Sequence, residues 1–392
     1  KHAGKLYFFE GKPDQVIEKL ISGLKIEAIF VNQDYTPFSL QRDLKIKKVC
    51  NKMEIAFKLQ SDCLLNDPSQ IKTLNNKTYQ VFTAFYKKVQ NIPVSLPSAQ
   101  HQFRTNCFYF EHLAHAVKLI NIYEKILTEL NPRLAESGGR QAGLKKKKSC
   151  SKFKNYLHEK DFPAIQTTRL SAHLKFGTVS IREAFYAILN QLGSDHPLLR
   201  QLYWRDFFTY IIYHHPTVLG SSFNPKFSKI KWENDHQKFV MWCEGKTGFP
   251  IVDAGMRELN NTGFMHNRVR MITASFLVKD LQIDWQLGER YFATKLVDYD
   301  PAVNNGNWQW VAGTGCDAQP YFRVFNPWIQ QKKFDPDCVY IKTWIPELKK
   351  LPVKDIHNWL KVWNKYAGVY QEPILDHSVA AKRAISLYHR KY

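Results

Sequence analysis

The sequence predicts an α/β segment followed by a larger all-helical domain. Three observations carry that prediction. Residues 1–63 alternate strand-like and helix-like patterns, and residues 64–150 lack a clean period. From residue 151 onward, apolar residues recur at i, i+3 and i+4 almost throughout.

Residues 5–10 read as a short strand. Residues 14–24 read as a helix, with Val16, Ile17, Leu20, Ile21 and Leu24 at helical spacing. Residues 28–31 read as a buried strand and residues 38–59 as a basic amphipathic helix. This βαβ-like rhythm lacks a GxGxxG turn, so no dinucleotide fingerprint accompanies it. Between 64 and 150, Asn66-Asp67-Pro68, Asn75-Asn76, Pro93 and Pro97 interrupt the chain, and one helix is expected around 112–130. That connection closes with Gly138-Gly139 and the lysine run 145–148, read as a solvated loop. Helices are then expected over 180–193, 197–213, 235–244, 252–261, 264–280 and 285–296, punctuated by Pro and Gly. Helices in that number can surround a ligand cavity.

The 392 residues suffice for two or three domains. No apolar run approaches the roughly 20 residues of a membrane span. The chain starts at Lys1 with no leader pattern, as expected of a fragment or trimmed chain. A net charge of +21 favours a polyanionic partner, nucleic acid first and an acidic membrane surface second. The cysteines at 50, 63, 107, 150, 243, 316 and 338 are scattered without a CxxC or zinc spacing. They are expected to be reduced thiols of an intracellular protein. His214, His215 and His266 lack plausible partner ligands, so no metal is assigned.

The chemistry concentrates in residues 263–327. Asn267, Arg268 and Arg270 open an apolar helix. Asp298 and Asp300 form an acidic pair, and Asn304, Asn305, Gly306 and Asn307 lead into Trp308-Gln309-Trp310. Amides, paired charges and oxidisable aromatics together suggest a buried aromatic cofactor with redox chemistry. Asp298 is a natural partner for Arg270; on a surface such a pair is worth only ~0–1 kcal/mol. Thr167, Thr168, Arg169, Leu170 and Ser171 precede a helix and suit a phosphate, although an ordinary N-cap has the same composition. Trp204 and Arg205 are adjacent in an aromatic helix, so one packs while the other faces a groove. Trp232, Trp285 and Trp308 lie in three different elements, and core packing is the default for any one of them.

As a set, TTRLSAHLKFGTVSIREAF, QLYWRDF, WCEGKTGFPIVDAGMREL, GFMHNRVRM, DWQLGERYF, DYDPAVNNGNWQW and YFRVFNP resemble the photolyase/cryptochrome flavoproteins. The resemblance runs from about Tyr156 to the C-terminus and more weakly over the earlier part. MHNRVRMITASFLVKD with NNGNWQW is most similar to the class I cyclobutane pyrimidine dimer photolyases. The resemblance implies a Rossmann-like α/β domain over 1–63, here without its opening strand and WFRxDLR segment. It further implies an interdomain linker over 64–150 and an all-α FAD-binding domain over 151–392.

The resemblance also implies roles. Thr167 to Ser171 would hold the FAD pyrophosphate, with Tyr156 beside it. Asp298 and Asp300 would contact the ribose and the isoalloxazine, and Arg270 would pair with Asp298. Asn304 would face flavin N5, where an amide can either accept or donate. Trp204 and Trp310 would hold a flipped-out lesion. Asn267 and Met271 would touch the dimer, Asn267 from beside the cofactor, and Arg268 and Arg323 would bind the DNA backbone. Electrons for flavin reduction would pass along Trp308, Trp285 and Trp232. Gln201 stands where most class I relatives have a glutamate that contacts the dimer, so altered repair efficiency is expected.

The implied activity is light-driven electron transfer from reduced FAD to a cyclobutane pyrimidine dimer in DNA, which splits it. A cryptochrome-like photosensor without repair is the alternative. Phe38 and Ser39 replace the amide and carboxylate that folate-binding relatives carry, which weighs against a second, antenna chromophore such as a folate. A monomer is expected, cytoplasmic in a bacterium or nuclear in a eukaryote.

Overall fold

The computed structural model describes residues 6–97, 110, 113–126 and 131–389. Helix α1 (Pro13–Gly23), strand β1 (Ala28–Asn32), helix α2 (Pro37–Lys52) and strand β2 (Ala56–Gln60) form the α/β segment. The strands pair in parallel, from Ala28 opposite Ala56 to Asn32 opposite Gln60. Parallel pairing requires a crossover, and α2 supplies it. Ile21, Ile46 and Cys50 pack with Ile29 and Phe57 of the sheet in a small core.

The expected helix over 38–59 is therefore a helix and a strand. Ile46, Cys50 and Met53 keep helical spacing, but Ile55, Phe57 and Leu59 alternate with period two. The Met53 N–H closes the helix on the Val49 and Cys50 carbonyls, and Glu54 turns the chain at φ 58°. The expected strand over 5–10 is only a bridge between Phe8 and Val117, with Lys5 outside the described residues.

Among the described residues, the connection holds three α-helices where one helix was expected: α3 (Phe82–Val89), α4 (Leu119–Ile126) and α5 (Arg140–Lys148). His112 and residues 127–130 of the expected helix lie outside the described residues. The lysine run is the last turn of α5, not a loop. Cations there complement the helix dipole. Lys146 also reaches Glu136 at 2.7 Å, and Lys147 reaches Glu183 at 3.6 Å.

The remaining chain is helical. It runs through α6 (Tyr156–Glu159), α7 (Ser171–Lys175), α8 (Ile181–Leu192), α9 (Pro197–His214) and α10 (His236–Glu244). It continues with α11 (Pro250–Thr262), α12 (Asn267–Ser275), α13 (Trp285–Lys295), α14 (Pro301–Ala312) and α15 (Pro327–Phe334). It ends with α16 (Val339–Trp344), α17 (Val353–His357), α18 (Trp359–Val362) and α19 (His377–His389). The single helix expected over 264–280 is α12 followed by a buried π-helical turn, Phe276–Asp280. One core, around Trp242, Phe249, Met265, Phe276 and Trp308, joins α10 to α14. A second joins α3 to α8 and α9 through Phe82, Phe85, Tyr203 and Phe207. Among the described residues, no helix is long and apolar enough to cross a membrane, and no cluster of His, Cys, Asp and Glu could hold a metal. The six described cysteines are free thiols; Cys107 lies outside them.

Candidate functional site

Helix α14 organises the site. Asp300 caps it by accepting from the Ala302 and Val303 N–H groups, and Pro301 occupies the first turn, where no N–H is needed. Asn304 and Trp308 are one turn apart and therefore share a face. That face packs on α13. The Asn304 amide donates to the Glu289 carbonyl at 3.1 Å and to its carboxylate at 3.2 Å. Both partners are acceptors, so the amide nitrogen is committed to Glu289 and the oxygen is left facing away from it. The oxygen is therefore the atom that the amide offers away from Glu289. Trp308 sits against Gly288, where an added Cβ would lie 2.2 Å from its ring. The opposite face carries Asn305 and Gln309, which are structural: Gln309 donates to Val218 O and Ser221 O and accepts from the Phe223 N–H. Gly306 abuts the Phe208 ring of α9, 2.1 Å from any added Cβ.

Asp298 is held from two sides. Arg270 Nη2 reaches its oxygens at 3.1 and 3.0 Å, and Ser171 Oγ donates at 2.6 Å. Arg270 Nε donates to the Met265 carbonyl, which fixes the guanidinium plane. This is the pair read from sequence, and it is buried: the Asp298 side chain is 5% exposed. Ser171 thereby joins the acidic pair to the loop Thr167–Ser171. In that loop Thr168 accepts from the Leu170 N–H, and Arg169 adopts φ 50°. The Arg169 guanidinium turns inward, 4.6 Å from the Phe264 ring centroid and 3.8 Å from Glu136. Tyr156 lies nearby on α6, its phenol pushed up to about 12, mainly by burial.

A cavity of about 220 Å³ borders this loop, lined by Gln166, Thr167, Arg169, Glu258, Phe264 and His266. His266 Nδ1 accepts from the Arg268 N–H, so the proton sits on Nε2, which is buried without a partner. Burial and then Arg270 push this imidazole down to about 4, so it is neutral. The loop hydroxyls, an unused imidazole N–H, a carboxylate already neutralised by arginine and an oriented amide oxygen form a donor set that fits a flavin dinucleotide.

The elements that carry the three tryptophans are neighbours. Trp285 begins α13 and is 2% exposed, while Trp308 contacts that helix. The segment before Trp285 is bonded to the one after Trp232: the Glu233 N–H donates to Gln282 O, and the Asp284 N–H donates to the Asn234 side chain. Trp232 is half-buried, 6.1 Å from Tyr388.

The groups assigned to DNA differ in exposure. Gln201 is exposed on α9. Trp204, one turn on, stacks on Phe82 of α3 at 3.6 Å. Asn267 is exposed and donates to Met271 Sδ at 3.7 Å, and Trp310 is half-buried. Arg323 is exposed, whereas Arg268 pairs with Asp161 at 2.8 Å. Sequence reasoning missed Glu289, Asp161 and Phe82. Nothing in their local patterns marks them, because each acts through a partner far away in the chain.

A two-domain frame and a polar set that suits a flavin dinucleotide define a flavoprotein of two-domain architecture. Residues 198–390 match the family model of the FAD binding domain of DNA photolyase, and residues 1–101 match that of DNA photolyase. The deoxyribodipyrimidine photo-lyase of Alkalihalophilus pseudofirmus is 36% identical over 99% of this chain and 84% of its own length. The archaeal photolyase of Sulfolobus tokodaii, solved with two FAD molecules, superposes with a TM-score of 0.86 at 42% identity, covering 98% of this chain and 83% of its own. A bacterial class III photolyase from Agrobacterium tumefaciens gives 0.92 at 33% identity, covering 100% and 85%. The chain belongs to the photolyase/cryptochrome family.

Proposed function

We propose that the chain is a light-driven deoxyribodipyrimidine photo-lyase of the class I cyclobutane-dimer type. The observation that carries this most is the pairing on α14 of an amide fixed by Glu289 with a buried tryptophan one turn away. Bound FAD supplies the light-absorbing electron donor. Asp298, neutralised by Arg270 and Ser171, and Asp300 hold it without adding an unpaired charge. Thr167, Thr168 and Ser171 bind its phosphates, and the Asn304 oxygen accepts a proton-bearing nitrogen. Trp232, Trp285 and Trp308 form the route by which electrons enter from solvent. Gln201, Trp204, Asn267, Met271 and Trp310 receive the extruded dimer, and Arg268 and Arg323 hold the flanking phosphates. A damaged pair costs less to extrude than an intact one, which favours lesions. The class I assignment rests on the MHNRVRM and NNGNWQW segments.

The test is a dimer-containing oligonucleotide with flavin-replete, reduced protein. Repair is expected under blue light and not in darkness; no light-dependent repair would overturn the reading. Trp308→Phe should slow photoreduction while chemically pre-reduced protein repairs normally.

A further inference from the structure

Arg268 is not an idle cation waiting for DNA. It lies in the first turn of α12, where the helix dipole disfavours positive charge. Its Nη2 meets Asp161 Oδ1 at 2.8 Å, and its guanidinium carbon lies 4.4 Å from the Phe334 ring centroid. Its Nε is buried without a partner, so the group is not saturated by the protein. A second cation, Lys333 Nζ, lies 5.2 Å from the same ring centroid. Phe162, next to Asp161, packs edge-on against that ring at 6.3 Å. Two cations and one carboxylate thus meet on Phe334. The carboxylate is the more exposed partner, at 34% against 18% for Arg268.

We propose that Asp161 is a built-in phosphate surrogate: it occupies the guanidinium of Arg268 in the DNA-free protein, and a DNA phosphate must displace it. This rests on the reading above that Arg268 contacts the DNA backbone. Exchange is chemically symmetric, because a carboxylate and a phosphodiester offer the same guanidinium the same kind of acceptor oxygens. A half-exposed ion pair is worth at most about 1 kcal/mol, so displacement is feasible yet not free. The cost falls on every DNA encounter, damaged or not, because the phosphate contact is common to both. Asp161 therefore acts as a residue that competes with DNA for Arg268 and sets how tightly the backbone is held, with or without a lesion.

The experiment uses the FAD-loaded protein and two duplexes of one sequence, with and without a single cyclobutane dimer. Asp161→Asn should tighten binding to the undamaged duplex about three- to fivefold, the equivalent of a surface ion pair. The damaged duplex should tighten by the same factor, because the displaced carboxylate is common to both complexes. In an Arg268→Ala background the same substitution should have no effect, which separates competition for Arg268 from a general gain of positive charge. Weaker binding by Asp161→Asn, the outcome if Asp161 only positions the loop, would overturn the proposal. So would equal tightening in both backgrounds. If Arg268→Ala alone leaves affinity unchanged, Arg268 is no DNA contact and the fault lies with the underlying assignment. Normal affinity loss in Arg268→Ala with no response to Asp161→Asn leaves that assignment standing and sinks the surrogate alone.

Discussion

Arg268 and Arg270 stand two residues apart on α12 and so point to different sides of it. Each meets a carboxylate under opposite conditions. Arg270 is locked: Nε is bonded to the Met265 carbonyl, Nη2 to both oxygens of a 5%-exposed Asp298, and Ser171 bonds the same carboxylate. Arg268 makes one bond to a half-exposed Asp161 and leaves Nε unpaired. The flavin side is thus assembled before any ligand arrives, so little reorganisation opposes cofactor binding. The rim holds its charges in exchangeable pairs, which suits a substrate that must arrive and leave.

The largest expected effect comes from breaking the locked pair. Asp298→Ala leaves a largely buried guanidinium with only a carbonyl partner, and severing a buried pair on one side costs about 3–5 kcal/mol. The purified variant should be nearly colourless, with a melting temperature well below that of the parent, by flavin absorbance and thermal unfolding. Normal flavin content would show that the pair does not organise the cofactor site.

Behind the rim lies an acid of a third kind. Asp206 follows Trp204 and Arg205 on α9 and accepts from the Leu65 N–H at 2.8 Å, which ties the connecting segment to the helical domain. Burial raises its carboxyl to about 7, against the pull of Arg205 at 3.8 Å. The folded protein therefore holds this proton more tightly than the unfolded chain does. The stabilisation is complete below the ordinary carboxylate pKa, about 4, and is lost as pH rises through about 7. Asp206→Asn keeps an acceptor for Leu65 and never ionises. It should be as stable as the parent at pH 4 and about 1–3 kcal/mol more stable at pH 8. Parallel stability profiles across that range would mean that Asp206 is not neutral in the fold.

How much of this was legible in sequence follows the same division. Asp298 and Arg270 are joined by strong pairing chemistry and familiar flanks, and the structure brings them together as expected. The helical runs were legible because apolar spacing repeats over three or more turns. The end of α2 was not, because Met53 belongs to a helical stripe and Ile55 to an alternating one only two residues later. Glu289 and Asp161 carry no local signal. Their meaning depends on Asn304 and Arg268, which reach them only through tertiary packing. The partners of Arg169 were illegible for the same reason: Glu136 and Phe264 reach its side chain only through tertiary packing.

A smaller effect is expected from Glu289→Leu. Asn304 then loses the carboxylate that commits its nitrogen and keeps one carbonyl partner, so the amide can reverse. A flavin protonated at N5 loses part of its acceptor. The reduction potential should fall by on the order of 30–60 mV, up to a tenfold change in a one-electron equilibrium. Spectroelectrochemical titration measures this directly. An unchanged potential would place control of the amide elsewhere.

The smallest effect tests the rim. Gln201 is exposed and shares a face of α9 with Trp204, three residues on, and Phe208, seven residues on. It can donate an N–H to a dimer but has no proton to share with charge that develops on it. Gln201→Glu supplies a carboxyl whose proton would be retained once DNA covers the site, because burial raises a carboxyl pKa. Repair quantum yield should then rise about two- to threefold, the rate equivalent of roughly 0.5 kcal/mol. Affinity should move the other way at low salt, because an added carboxylate repels phosphates in the unbound protein, and this loss should fade as salt is raised. That opposition is diagnostic. A higher yield with weaker low-salt binding marks residue 201 as a group that acts on the reacting dimer. An unchanged or lower yield would reduce it to one more exchangeable polar group on the rim, leaving the asymmetry between the two sides of the site complete.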